Sequence, residues 1–329
     1  MKRAFSFLAS LVFLSSVRAA TPATEERVLL GRYLFYDTRL SVNGQQSCAT
    51  CHRQELAFTD GRATSEGATG AIHPRSAMTL VNVASSKTLT WTDPTQLTLE
   101  QQALVPMFAT APVELGLRGH ESTLLDALRA DPVYRDLFPR VFPELKDPFT
   151  IANIARALAS FERTIISARS PYDRFHVDGD QSAISESAKR GESVFFTDSA
   201  GACFRCHGGP NFSDGEYHNT ALYAPYPAPN RGLFEHTRKP SDNGKFKVPT
   251  LRNIAVTAPY MHDGSIKTLE EVLDHYAAGG RAHTNPNRDQ RLRKLTLTPQ
   301  NRADLLAFLR SLTDEELLHS PRFANPWPQ

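Results

Sequence analysis

The chain is predicted to be mainly α-helical and to contain one compact helical unit twice, on three observations. Apolar residues recur at helical spacing in six segments, whereas period-two strand patterns are scarce. The pentapeptide Cys-x-x-Cys-His stands at 48–52 and again at 203–207. Similar stretches precede the copies, Gly31-Arg32-Tyr33-Leu34-Phe35-Tyr36-Asp37 before the first and Gly191-Glu192-Ser193-Val194-Phe195-Phe196 before the second. Such self-similarity predicts internal duplication, with one unit over residues 21–178 and the other over 179–329.

Residues 1–20 read as a secretory leader: Lys2 and Arg3, an apolar run from Ala4 to Val17, then the small residues Ala19 and Ala20. That run is too short to span a bilayer, and no later stretch approaches the roughly 20 apolar residues a span needs. The mature chain is therefore expected to be exported without membrane insertion, which in a Gram-negative cell means the periplasm. The first two helices are expected over Thr24–Phe35 and Ser122–Ala130. A stronger one runs from Thr150, its N-cap, to about Ile166, with Ile151, Ile154, Ala155, Leu158 and Phe161 on one face. Ser170-Pro171-Tyr172-Asp173 through Gly179-Asp180 reads as the linker. Further helices are expected over Ser185–Phe196, Thr268–Ala278 and Thr298–Leu312, the last with Thr298 as N-cap and Pro299 in its first turn. The 22 prolines predict many fixed turns and long loops between helices.

Cys48-Ala49-Thr50-Cys51-His52 and Cys203-Phe204-Arg205-Cys206-His207 consume all four cysteines. Two thiols one helical turn apart can form thioethers to the two vinyl groups of one porphyrin, and the adjacent imidazole then reaches the iron. Each pentapeptide thus reads as a covalent c-type haem site carrying its own proximal ligand. A structural zinc site is the rival, but it wants four ligands and neither motif has a cysteine left to recruit. A disulfide within each motif suits an oxidising compartment yet leaves the repeated histidine without a role.

The length of 329 residues and a hydrophobic content of 40% suffice for two ordinary cores. The net charge of +2 comes from interspersed residues, so nothing points to nucleic acid or to a membrane surface.

A haem that only passes electrons keeps two strong axial ligands, whereas one that activates peroxide needs an open face and a proton-transfer group. The regions after the two pentapeptides differ. After the first come His73-Pro74-Arg75-Ser76-Ala77-Met78-Thr79-Leu80-Val81-Asn82, then Trp91, Leu99 to Pro106, and Pro112-Val113-Glu114-Leu115-Gly116. After the second come Pro249-Thr250-Leu251-Arg252-Asn253-Ile254, Thr257 to Ser265, and a helix containing His275 and Tyr276.

With these motifs the chain resembles the bacterial dihaem cytochrome c peroxidase and MauG superfamily along essentially its whole mature length. Within it, the His-Pro-Arg-Ser-Ala-Met and Leu-Asp-His-Tyr-Ala-Ala-Gly-Gly stretches look most like the MbnH-type dihaem enzymes associated with methanobactin operons. The resemblance implies two cytochrome c-like haem domains. It makes His52 the proximal ligand of a peroxide-reacting haem, Glu114 the distal acid/base, and Gln102 and Pro106 its neighbours in that pocket. On residue type alone, Glu114 reads as a helix-capping or surface carboxylate, and it is the resemblance that makes it the acid/base. Trp91 falls where the family places an aromatic between the haems, although a lone tryptophan also suits core packing. Asn82, Thr257 and Pro259 match family positions that bind calcium at the domain interface through oxygen atoms.

For the second haem the resemblance makes His207 the proximal ligand and puts the sixth-ligand position on Tyr276, where peroxide-scavenging members carry methionine and MauG carries tyrosine. His275 and Met261 are the alternatives, and an ordinary buried aromatic is the bland reading of Tyr276. A phenolate favours ferric and higher states, whereas a thioether favours ferrous iron. His73 reads either as a loop histidine or as a counterpart of the histidine that closes the active haem in many family peroxidases.

The expected function is that hydrogen peroxide oxidises the diferric protein to a high-valent, bis-ferryl-like state. Holes then leave to oxidise a residue of a periplasmic partner, a tryptophan of a copper-binding protein converted to kynurenine. The competing reading is a cytochrome c peroxidase reducing peroxide to water with electrons from a small cytochrome or cupredoxin. A dihaem electron carrier is the non-enzymatic third.

Overall fold

A computed structural model describes residues 24–328. The expected leader, residues 1–20, lies outside the described residues. Twelve α-helices, six single-turn 3₁₀ helices and one two-stranded antiparallel ribbon, β1 (Tyr217–His218) with β2 (Phe246–Lys247), make up the regular structure among them. The expectation of a mainly α chain holds.

The first core is built by α1 (Glu25–Tyr36), α2 (Cys48–Cys51), α3 (Leu99–Phe108), α4 (Glu121–Ala130), α5 (Pro132–Val141) and α6 (Ile151–Glu162). Thr24, as N-cap, accepts from Arg27 N, and Thr150 accepts from Asn153 N, so both expected starts stand. α6 ends four residues before the expected Ile166. Beyond it Ile165 and Ser167 are buried in irregular chain that pairs with Asn82, a tertiary contact that overrides helical periodicity. α1 crosses α6 where Gly31 meets Ala157, so closely that a Cβ on Gly31 would stand 1.9 Å from the Ala157 carbonyl oxygen.

The second core repeats this device. α8 (Glu186–Phe196), capped by Ser185, crosses α11 (Pro299–Ser311), capped by Thr298, where a Cβ on Gly191 would stand 1.9 Å from the Asp304 carbonyl oxygen. Phe195, Phe212, Leu305, Phe308 and Leu309 fill the space behind, with α10 (Leu269–Ala277) completing the unit.

Three segments depart from a simple division at 178. The expected linker carries a capped helix, α7 (Pro171–His176), whose Asp173 forms a buried bidentate ion pair with Arg252 and whose Tyr172 packs edge-on to Phe308. Pro171 at the first helical position is a start signal as much as a breaker. Trp91, from the first half, packs on the second core. After the short α9 (Phe234–Thr237) and the later α12 (Glu315–His319), the C-terminal tail returns to the first core, where Trp327 stands edge-on to Tyr33 and Tyr36 Oη donates to the Phe323 carbonyl.

Candidate dihaem site

Both pentapeptides sit in the same local setting. The first forms α2 behind Ser47, whose side chain and that of Thr50 cap one another's backbone N–H groups. The second forms a single 3₁₀ turn, Cys203–Arg205, entered through Ala202 in the left-handed region. All four thiols are free, and burial raises each of them above the ordinary thiol range.

His52 Nδ1 lies 2.9 Å from the Phe58 carbonyl oxygen, and His207 Nδ1 lies 2.9 Å from that of Phe212. Phe58 and Phe212 both hold positive φ, at 61° and 49°, which points the carbonyl back at the imidazole. A histidine whose Nδ1–H is held by a backbone carbonyl presents a basic Nε2 in a fixed direction, the second-shell arrangement of metal-bound imidazoles. Burial lowers both histidines, keeping them neutral and ligand-competent. Free thiols in Cys-x-x-Cys pairs beside Nε2-directed, neutral histidines fit a covalently attached haem at each site.

Phe58 and Phe212 escaped the sequence reading. Their positions are fixed by the threonines immediately before Leu80-Val81-Asn82 and Leu251-Arg252-Asn253: Thr79 Oγ1 donates to the Ala57 carbonyl and Thr250 Oγ1 to the Asn211 carbonyl, both at 2.6 Å. The shared Thr-Leu-x-Asn string was the available signal.

Around the first site, Gln102 and Pro106 stand four residues apart on one face of α3 and are half-buried. The Pro106 carbonyl accepts from Leu115 N at 2.9 Å, which ties α3 to the segment carrying Glu114. Burial pushes the Glu114 carboxyl up to about 7, in the range of a working acid/base. His73 is brought to it, with Nε2 3.7 Å from Glu114 Oε1. The sequence left His73 between loop and pocket; the structure places it beside Glu114. A cleft of about 350 Å³ opens next to Cys51, Asp60, Arg62 and Glu66.

Trp91 is half-buried, and its Nε1 donates to the Ser76 carbonyl at 2.9 Å while its own carbonyl accepts from Lys247 N. At the second site, Tyr276 on α10 has its phenol raised by burial and, less strongly, by Cys206 and Cys203, so it lies within electrostatic reach of the second cysteine pair. His275 turns elsewhere, its Nε2 3.0 Å from the Thr220 carbonyl. Met261 holds a positive φ of 71° and packs at the edge of the second core. Asn82 is buried, its amide bonded to Ser167 and to Asn211 Oδ1; Thr257 Oγ1 donates to the Ile254 carbonyl, and Pro259 follows a cis peptide.

Two family models divide the chain between them. The di-haem cytochrome c peroxidase family model matches residues 25–182, and a cytochrome c model matches residues 188–313. The methylamine utilization protein MauG of Methylorubrum extorquens is 37% identical over 296 residues, covering 90% of this chain and 80% of that protein. The chain belongs to the dihaem cytochrome c peroxidase and MauG family. It is a haem-dependent peroxidase, and the family carries covalently bound c-type haems.

Within this peroxidase family the cytochrome c551 peroxidase of Nitrosomonas europaea is 32% identical over 304 residues, 91% of this chain and 84% of that one. Among solved structures, a MauG-like protein associated with microbial copper homeostasis is 41% identical and superposes with a TM-score of 0.91 over 97% of this chain and 100% of that one. The dihaem peroxidase BthA of Burkholderia thailandensis, 21% identical with a TM-score of 0.75 over 93% of this chain and 91% of that one, shares the fold. No helix among the described residues is long and apolar enough to cross a membrane.

Proposed function

We propose that this peroxidase uses hydrogen peroxide to reach a high-valent state shared between two haems and spends it on oxidising a periplasmic protein partner. The observation that carries this reading is Tyr276 on α10, within electrostatic reach of the Cys203–Cys206 pair. A phenolate at that position stabilises ferric and higher states, so the protein reacts with peroxide without first being reduced.

In this reading Cys48 and Cys51 hold the first haem and Cys203 and Cys206 the second, with His52 and His207 as proximal ligands. When bound, the haems supply the iron that takes up the oxidising equivalents of peroxide. Glu114 removes a proton from one peroxide oxygen and returns it to the other, which departs as water with the electron pair of the O–O bond. Such transfer contributes roughly 10² to 10⁴ in rate. Gln102 and Pro106 confine the peroxide, and Trp91, a residue of the first half packed on the second core, relays holes between the haems. The likeness to a MauG-like protein associated with copper homeostasis supports a copper-binding partner, with a tryptophan converted to kynurenine as the finer expectation. The paired glycine crossings at Gly31 and Gly191 support an origin by internal duplication. A calcium ion at Asn82, Thr257 and Pro259 is a further part of the proposal, resting on the sequence resemblance; loss of peroxide reactivity on chelation, restored by calcium, is its test.

The deciding experiment adds stoichiometric hydrogen peroxide to the diferric protein with no reductant and follows the optical spectrum. A rapid, long-lived change supports the reading. Silence until one haem is reduced makes the protein a peroxide scavenger fed by an electron donor. Mass spectrometry of a co-expressed copper-binding partner then checks the substrate: tryptophan left unmodified by peroxide removes that part of the proposal.

A further inference from the structure

The His73 imidazole is held in an unusual way. Its Nδ1 lies 3.1 Å from the Arg75 carbonyl oxygen and 3.2 Å from the Arg75 backbone nitrogen, so one residue offers both an acceptor and a donor to the same ring nitrogen. Either neutral tautomer is therefore satisfied at Nδ1. With the proton on Nδ1, Nε2 is an acceptor; with Arg75 N–H donating to Nδ1, Nε2 carries the proton and donates. Nε2 is the atom that stands 3.7 Å from Glu114 Oε1.

The loop presenting His73 is fastened to the strand of chain presenting Glu114. Ala68 N donates to the Glu114 carbonyl at 2.6 Å, and Gly67 lies so close to Val113 that a Cβ there would stand 1.9 Å from its carbonyl oxygen. His73 N donates to the Ser65 carbonyl, and on the far side Arg75 pairs with Glu235 and Ser76 N donates to the His262 carbonyl. These contacts hold the imidazole at the carboxylate from both ends.

We propose that His73 is the positioning partner of Glu114, a tautomer-adaptable imidazole that accepts from the protonated carboxyl and donates to the ionised one, so that Glu114 can take and return the peroxide proton without losing its neighbour. The proposal rests on the reading of Glu114 as the acid/base. Of the other charged groups facing the pair, Arg75 is paired with Glu235, Asp60 accepts from Arg62 N and Ser65 Oγ, and Glu66 lines the neighbouring cleft. Glu162 differs: it is buried near Cys48 with Oε2 unpartnered, and burial pushes its carboxyl up to about 8. The pH dependence of the peroxide step therefore reports on Glu114, His73 and Glu162 together, and the shift produced by His73→Ala isolates the part that belongs to the pair.

The test compares the haem-loaded wild type with His73→Ala, His73→Gln and Glu114→Gln in single-turnover reaction with peroxide from pH 5 to 9. Infrared difference spectra of the carboxyl C=O stretch provide a readout independent of activity. His73→Ala loses both the bond to the protonated carboxyl and the bond to the ionised one, and because the charge-assisted bond to the carboxylate is the stronger, the acid limb and the carboxyl titration both move up by about one pH unit, and the rate at pH 7 falls by about tenfold. His73→Gln, which keeps an N–H donor, restores most of both. Unmoved limb and titration in His73→Ala, beside a slow Glu114→Gln, overturn the His73 proposal alone. A Glu114→Gln variant as fast as wild type overturns the acid/base reading beneath it. If His73→Ala instead converts the first haem from low-spin to high-spin and accelerates the reaction, His73 is an iron ligand that closes the site, and the proposal is wrong.

Discussion

Asn82 and Asn253 make matching contacts in the two halves of the molecule. Each holds a positive φ, 55° and 61°. Each donates its backbone N–H to a carbonyl just beyond the long helix of its own half, Asn82 to Ile165 and Asn253 to Leu312. Each accepts through Oδ1 from the N–H two residues further on, Ser167 at 2.8 Å and Asp314 at 2.7 Å. The two amides also meet on one residue, since Asn82 Nδ2 donates to the Ser167 carbonyl and Asn253 Nδ2 to Ser167 Oγ. A single buried serine thus joins the haem-loop anchors of both units.

Replacing Asn253 by alanine strands a buried N–H and strains a left-handed residue, for an expected loss of about 2–4 kcal/mol in urea unfolding of the haem-loaded protein. Asn253→Gly relieves the strain but not the lost bonds, and so recovers about 1 kcal/mol of it. Equal and negligible losses in the two variants would contradict this account.

Gly31→Ala and Gly191→Ala each push a methyl into a backbone carbonyl of the facing helix, which cannot step aside as a side chain can. Because both crossings set the position of the helix leading into a pentapeptide, each variant is expected to lose about 3 kcal/mol or more and to yield less haem-loaded protein on expression. Thermal unfolding beside haem content per polypeptide measures both. A Gly191→Ala protein of wild-type stability means that the helices separate at no cost, and the close crossing is then dispensable.

Helix starts were legible because Thr24, Thr150, Ser185, Thr268 and Thr298 all cap through their hydroxyls, a local interaction that residue type announces. The pentapeptides were legible because bond lengths within one turn dictate their spacing. What escaped depends on contacts between distant segments. Phe58 and Phe212 act through carbonyls, which any residue possesses, and the His73–Glu114 approach is made by a loop whose path is set by backbone bonds to Glu114 and His262. α3 and α5 (Pro132–Val141) were missed for a different reason. Each carries an internal proline, Pro106 and Pro139, and prolines were read as turns.

His262 provides a pH-dependent test of the second core. It is buried face to face with Phe246, ring centroids 3.6 Å apart and planes 14° apart, and burial holds its pKa below the ordinary histidine value. A histidine kept neutral in the folded state contributes stability that is complete above pH 6.5 and is lost as pH falls through its folded value, by at most about 1.4 kcal/mol per pH unit. His262→Phe keeps the stacking and removes the proton, so melting temperatures between pH 7.5 and 5 should fall less steeply than in wild type. His275 and His73, also held low by burial, contribute to the slope that remains. An unchanged slope in the variant would assign acid lability to His275 or to other groups.

Tyr276→Met tests the proposed division of labour between the haems. Tyr276 lies within electrostatic reach of the second cysteine pair, while the Nε2 of the adjacent imidazole is engaged by Thr220, so on the proposed ligation a methionine there exchanges an oxygen donor for a thioether. Softer ligation favours ferrous iron, and the second haem's potential is expected to rise by roughly 100 mV or more within the ~0.8 V range that axial ligation spans. Spectroelectrochemical titration of both haems measures this, with the first haem, on His52, serving as the internal reference. The same variant should no longer respond to peroxide in the diferric state, yet should react once a single electron has been supplied, because Glu114 and His73 are untouched. If the potential is unchanged, the phenol is not the distal ligand of the second haem. If the potential rises but diferric reactivity persists, the oxidising equivalents are stored without that haem, and Trp91 becomes the residue to replace next.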